Sequence, residues 1–256
     1  MRTLAALTVV LASALFTAGC FDIEQTLTLE RNLSGKAGFT MKVDMEPMVG
    51  FAAMMARSMA GKEGPPTAAE LAEARKEMLA NAKKSDAQTD FDKDRKEFER
   101  TLPAGVTLLD AAVKEDALKV AVNLLFGFDQ VSKLATIKLP KKDGDPSEAG
   151  NPVESPFDGL KVTDEGTTIL ITSPPQNPMA DAKDQMPPGD PEMAKQIMDM
   201  FKGLRVAFKI TAPFAIVEQN AHRKEGNTLI WEFNMDSLAK LTPAQLEAGI
   251  RVRYRK

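Results

Sequence analysis

One cysteine in 256 residues, at position 20, sets the terms on which this chain folds. No internal disulfide is available, so buried apolar surface and hydrogen bonding must hold the fold together. The residues ahead of that cysteine do not read as belonging to such a fold. They open Met1-Arg2-Thr3, with one positive charge, and run from Leu4 to Phe16 without another charged residue. That stretch is shorter than the about 20 apolar residues a membrane span needs, and it has the size of a signal-peptide h-region.

The segment Phe16-Thr17-Ala18-Gly19-Cys20 resembles a lipobox, in which small residues before a cysteine admit a lipoprotein signal peptidase. Thr17 stands where Leu is most frequent. The reading predicts a lipoprotein signal peptide over 1–19, cleavage before Cys20, and acyl chains (palmitate among them) anchoring residues 20–256 to a membrane. It also accounts for the lone cysteine. A single acyl chain holds only weakly, whereas the triacyl group implied by the resemblance is a lasting anchor. Residue 21 is Phe and not Asp, which resembles lipoproteins sorted to the outer membrane. The expected location is therefore the cell envelope, on the periplasmic side of the outer membrane in a Gram-negative host. The whole chain has a formal charge of −3, and loss of Arg2 makes the exported segment more negative by a single unit. That balance gives no electrostatic footprint for nucleic acid.

Period-two patterns open and close the exported segment. Phe21, Ile23, Leu27 and Leu29 share one face, the turn residues Asn32-Leu-Ser34-Gly35 follow, and Phe39, Met41, Val43 and Met45 alternate with polar residues. This is a hairpin with one buried face, and it begins almost at Cys20 with no Gly/Ser tether. Residues 47–102 switch to helical spacing. Met48 to Met59 is apolar, Gly61 to Pro66 is a linker, and Thr67 with Glu70 has the spacing of a capping box. Phe91 and Phe98 sit seven apart on a charged helix that Pro103 ends. Strands are predicted at Val106–Ala112 and Leu118–Phe126, with a short helical turn from Phe128 to Leu134.

Residues 138–156 and 174–188, rich in Pro and polar residues, read as loops. Leu160–Val162 and Thr168–Ile171 form a second hairpin around Asp164-Glu-Gly166. A helix opens at Asp190-Pro191, and strands follow at Val206–Ile210, after Pro213, and at Leu229, Trp231 and Phe233. A short helix at Thr242-Pro243 precedes a final strand with Ile250, Val252 and Tyr254 inward. The expectation is one α+β domain: an antiparallel sheet built from hairpins, with helical insertions packed on one face.

The chemistry of catalysis is thin. There is one histidine, His222, in a turn, where a side chain is ordinarily solvated. A hydrolytic triad or a zinc site needs histidine with convergent partners. No Gly-rich loop follows a strand in the manner of nucleotide sites, and the carboxylates are scattered over surface helices. The expectation is a non-enzyme with no cofactor, no metal and no catalytic residue. Two features remain. The 14 methionines concentrate in 41–59 and 186–200, where they serve either as adaptable apolar contacts or as plain helix core. Arg251, Arg253 and Arg255, followed by Lys256, share one face of the last strand. They are either contacts for lipid headgroups or the charges of an edge strand that discourages aggregation.

Four stretches stand out together: Cys20 to Met45; Val120 to Leu134 with Phe126-Gly-Phe128-Asp129; Ala212-Pro213-Phe214; and Asn227-Thr-Leu-Ile-Trp231-Glu-Phe233 before Asp236-Ser-Leu-Ala239. In this order they resemble the LppM-like group of bacterial lipoproteins. The resemblance implies an α+β domain of the kind compared with lipid-binding folds and, for some members, a role with envelope lipids. The chain departs from the group in its insertion at 47–102 and in ending at Lys256 without the C-terminal membrane segment of some members. No catalytic residue carries over, because the shared motifs read as structural. The function expected is a membrane-anchored, non-enzymatic domain that binds envelope lipid or another amphiphile in a Met-lined groove between sheet and helices. The alternative is a structural or assembly lipoprotein that presents its charged helices, 67–102, to an envelope protein.

Overall fold

Period-two burial along the first hairpin builds the centre of the molecule. The computed structural model describes residues 20–82, 95–138, 155–174, 203–238 and 240–256. The expected signal peptide, the 174–188 loop beyond Pro174, Phe91 and the helix opening at Asp190-Pro191 lie outside the described residues, as does most of the loop at 138–156. Strands β1 (Cys20–Leu29) and β2 (Gly35–Asp44) pair antiparallel from Cys20↔Asp44 to Leu29↔Gly35. On β2, Ala37, Phe39, Met41 and Val43 are buried while the residues between them are less so. The turn is held by the Ser34 amide donating to Asn32 Oδ1 at 3.1 Å. A Cβ on Gly35 would stand 1.9 Å from the Thr28 carbonyl oxygen, so this position admits only glycine.

The chain leaves β2 through helices α1 (Glu46–Met59) and α2 (Ala68–Ala82) and returns as β3 (Val106–Asp116) and β4 (Lys119–Phe128). β4 runs two residues beyond its expected end, and the following turn is a 3-10 helix, Val131–Thr136. The helical insertion divides in two. The α1 and α2 helices pack chiefly on each other, and α2 buries none of its residues. The segment that joins the sheet is marked by Phe98, within helical residues 95–101, which stacks edge-on against Phe126 at 6.2 Å. Phe126 in turn meets Phe157 at 6.1 Å.

A hairpin of β5 (Lys161–Asp164) and β6 (Thr168–Ser173) follows, then β7 (Arg205–Thr211), β8 (Ala215–Gln219), β9 (Arg223–Glu225) and β10 (Thr228–Asn234). Short helices α3 (Met235–Leu238) and α4 (Pro243–Glu247) precede β11 (Ile250–Arg255). Thr242 and Gln245 cap α4 reciprocally, as their spacing predicts.

The α+β class holds, with two amendments to the expected single antiparallel sheet. Among the described residues there are two sheets, one of seven strands in the order β3-β4-β2-β1-β7-β10-β9 and one of four in the order β5-β6-β11-β8. The larger sheet is mixed, because β1 and β7 run parallel with Asp22 opposite Arg205 and Thr28 opposite Thr211. Side-chain alternation fixes which face of a strand is buried but not its neighbour, so neither feature is written in the period. One contiguous apolar cluster draws on both sheets, from Phe39 and Trp231 to Ile171 and Val252.

Tyr254 belongs to that cluster, is 1 % exposed, and packs against Phe214. Its hydroxyl has no hydrogen-bond partner among the described residues, and burial raises its pKa well above the ordinary tyrosine value. An orphaned buried hydroxyl is costly, so Tyr254→Phe is expected to stabilise the protein by about 1 kcal/mol, a rise of about 2–4 °C in Tm. Differential scanning calorimetry checks this; an unchanged or lower Tm would show that the hydroxyl is satisfied in solution.

Candidate membrane-facing site

The strand register places Cys20 in a row that crosses four strands. Cys20 pairs with Asp44, Asp44 with Lys119, and Lys119 with Asp116. The next row on the same face is Asp22, Lys42, Ala121 and Lys114. The residues of the two rows other than Cys20 border an open depression of about 400 Å³ whose rim carries Asp22, Lys42, Asp44, Lys114, Asp116 and Lys119. Lys119 lies 3.2 Å from Asp44, and Lys42 lies 3.6 Å from Asp22. The rim's lysines are matched by as many aspartates, so this end of the sheet is polar without a net charge.

Helix α1 begins two residues after Asp44, and Asp44 Oδ1 accepts from the Glu46 amide at 3.0 Å. Val49 and Ala53 are its buried positions. Arg57 fastens the helical pair: its guanidinium donates to both Glu70 oxygens, at 2.9 and 2.8 Å, and to the carbonyls of Glu63 and Gly64. The expected capping box is present, with the Thr67 amide donating to Glu70 Oε2 at 2.8 Å and the Glu70 amide donating to Thr67 Oγ1 at 3.3 Å. Hydrogen bonding from the Thr67 amide first, then from the Thr67 hydroxyl, Arg57 and Lys62, holds the Glu70 carboxyl down at about 2 against the opposing effect of desolvation.

Between these helices runs a groove of about 460 Å³, with alanines 52, 53, 56, 60 and 74 and Met78 at its walls and charged and polar residues, among them Arg57, Glu70, Glu73 and Glu77, along the rest. It differs from the expected groove, which would lie between sheet and helices and be lined by methionine. Alanines at the crossing let the two helices approach each other, while the α1 methionines are on another side. Met55 is 40 % and Met59 85 % exposed.

The structure separates the three arginines of the last strand from Cys20 by placing them on the smaller sheet. There β11 is flanked by β6 and β8, so it is an interior strand and not an edge. The edge-strand reading fails because the partners on both sides come from distant sequence. Arg251 Nε lies 3.0 Å from Glu218 Oε1, and Arg253 Nε lies 2.9 Å from Glu165 Oε2. Arg253 also bonds Glu218, and Lys256 bonds Asp164. The bond from Arg253 foremost lowers the Glu165 carboxyl below its usual value. Arg255 alone of the three has no carboxylate partner among the described residues.

His222 is exposed in its turn, as expected, and is also hydrogen-bonded there. Its ring stands edge-on to Phe233 at 4.9 Å, and Nδ1 lies 3.1 Å from the Glu232 amide and 2.9 Å from the Glu232 carbonyl oxygen. It lines a cavity of about 410 Å³ with Glu232, Asn234, Ser237 and Lys240, a gathering of polar residues that sequence reasoning missed. Two of them are used locally: the Ser237 amide donates to Asn234 Oδ1 and the Asn234 amide to Ser237 Oγ, both at 2.8 Å. This closes the start of α3, and the Asn-x-x-Ser spacing was the signal for it. Among the described residues no group of His, Cys, Asp or Glu is placed to hold a metal ion, and no helix is long and apolar enough to cross a membrane.

No protein-family model matches the sequence, and no curated protein matches it. Among solved structures, the chain is similar to the folded domain of the Mycobacterium tuberculosis LppM protein, determined by NMR. The two share 10 % sequence identity over 94 % of this chain and 92 % of that one, with a TM-score of 0.42, a distant likeness of arrangement and nothing finer.

Proposed function

We propose that this chain is a bacterial envelope lipoprotein, acylated on Cys20, whose α+β domain is non-enzymatic and engages envelope lipid or another amphiphile. The observation that supports this most is the pairing of Cys20 with Asp44. The residue at which the lipobox ends is the first residue of a strand in the interior of the larger sheet, with no spacer between anchor and fold. An anchor so placed holds the domain against the bilayer instead of letting it sample a wide shell around it.

Mass spectrometry of the N-terminal peptide, with fatty-acid labelling of cells, tests the anchor. The wild-type peptide is expected to begin at Cys20 and carry acyl mass, and Cys20→Ser to reduce label to background. A wild-type peptide that retains residues 1–19 and bears an unmodified thiol would sink the reading. Native mass spectrometry of the intact lipoprotein tests the ligand: a lipid mass released on denaturation supports amphiphile binding, and a clean mass after incubation with envelope lipids removes it. The assembly reading has one observation in its favour, helix α2, which has no fully buried residue and carries the surface pairs Arg75–Glu46 and Lys76–Glu73. It predicts a crosslinked protein partner whose yield falls when those charges are reversed.

A further inference from the structure

We infer that one face of helix α1 docks into the bilayer interface beside the anchor, through Met48, Phe51, Met55 and Met59. The inference rests on the proposed anchoring at Cys20 for its geometry, and it names a membrane-contacting surface which that proposal leaves unspecified.

The four residues recur at i, i+3, i+7 and i+11, a spacing that stacks them along one stripe of a helix. Met48 and Phe51 are half-buried, and exposure rises along the stripe to Met59. The side of α1 that carries Val49 and Ala53 is already covered, so the stripe is a second apolar face, and its C-terminal half, Met55 and Met59, stands exposed. In the whole helix only Glu46 and Arg57 are charged, and Arg57 is held by Glu70 and the linker carbonyls.

What covers the stripe follows from where the apolar end of the chain enters the fold. The uncharged run from Leu4 to Phe16 leads to Cys20. Cys20 pairs with Asp44, and α1 starts at Glu46. Whether that run is cut and replaced by acyl chains or kept, the hydrophobic attachment arrives one strand pairing away from the helix. An amphipathic helix at that position buries its apolar face in the boundary between headgroups and acyl chains. The neighbouring sheet end balances its rim lysines with aspartates, so the docking is apolar in origin and needs no anionic lipid.

The test uses the protein's single tryptophan, Trp231, 1 % exposed, as a constant background. Met55→Trp and Met59→Trp are made in the full-length lipoprotein, with Lys76→Trp on the exposed surface of α2 as the control. Each is reconstituted in zwitterionic phospholipid vesicles, with and without lipid brominated near the headgroup end of its chains. The expected result is a blue shift and loss of most of the added emission at positions 55 and 59, unchanged at high salt, with no loss at 76. Unquenched emission at both stripe positions overturns the inference, as does a crosslinked dimer of this chain formed through them in its place. Acylation of Cys20 is read by intact mass in the same samples. Acyl mass without quenching removes the docking and leaves the anchor, whereas quenching without acyl mass keeps the docking and removes the anchor.

Discussion

Trp231→Ala is expected to destabilise the protein by about 3–5 kcal/mol, a fall in Tm of the order of 10 °C, measured by denaturant titration and calorimetry. Trp231 lies on β10, buried at 1 % exposure, and meets Phe208 of β7 edge-on at 6.3 Å. Truncation there removes a large apolar side chain and leaves a cavity that a sheet interior closes poorly. A second loss is directional. The indole N–H donates to Asn220 Oδ1 at 2.9 Å, the same oxygen accepts from the Arg251 amide at 2.9 Å, and the Asn220 amide group donates to the Gly249 carbonyl at 2.8 Å. Asn220 thereby ties the larger sheet to β11 of the smaller one. Trp231→Phe keeps most of the packing and gives up only the indole bond, so its cost should be nearer about 1 kcal/mol. Equal costs for the two variants would assign the stability to the hydrogen bond and contradict the packing argument.

Arg205→Met is expected to cost about 1–3 kcal/mol at neutral pH, below the range for a fully buried pair because these side chains are still partly solvated. Arg205 reaches Asp22 at 2.6 Å, Glu24 at 3.1 Å and Glu232 at 3.2 Å, spanning β1, β7 and β10. Its removal leaves three carboxylates sharing one surface, with Lys209 remaining 2.8 Å from Glu24. Partial burial alone would raise the Glu24 carboxyl, but the bonds and charges of Lys209 and Arg205 outweigh it and hold the group below its ordinary value. A carboxyl lowered on folding contributes stability that is present above its unfolded value and is lost as pH falls through the folded one. The wild type therefore loses this contribution on acidification below about pH 4.5, whereas the variant has less of it to lose. Its deficit should be largest at neutral pH and should narrow as the solution is taken below that value. A deficit of the same size throughout would mean that Arg205 acts through its aliphatic stem.

Much of the secondary structure was legible because burial leaves a period. Phe39, Met41 and Val43, and again Leu229, Trp231 and Phe233, announce both strand and inward face, and the Thr67–Glu70 and Thr242–Gln245 caps are local enough to read. Partners were not legible. Nothing near Asp22 or Glu24 in the chain points to Arg205 and Lys209, and nothing near Arg253 points to Glu165 and Glu218. A row of arginines therefore reads as a ligand surface until the strands that carry its counter-charges are known. The methionines of α1 gave the opposite difficulty, since their spacing suits a buried face and an exposed one equally. Only the position of α2 decides which side of the helix is covered.

The parallel pairing of β1 with β7 has a consequence for the order in which the molecule is assembled. A chain synthesised from its N-terminus releases β1 and β2 together, but Asp22 meets Arg205 only 183 residues later. Until then the β1–β2 hairpin has an open edge on its β1 side, and contacts of such long sequence separation form slowly. Asp22 and Glu24 sit on that waiting edge, where like charges on successive copies discourage edge-to-edge association. The groups that later fix the register thus also guard the intermediate. A chain that stalls before residue 205 would keep its edge exposed, which makes β7 the point at which an unfinished molecule becomes distinguishable, to a protease, from a finished one.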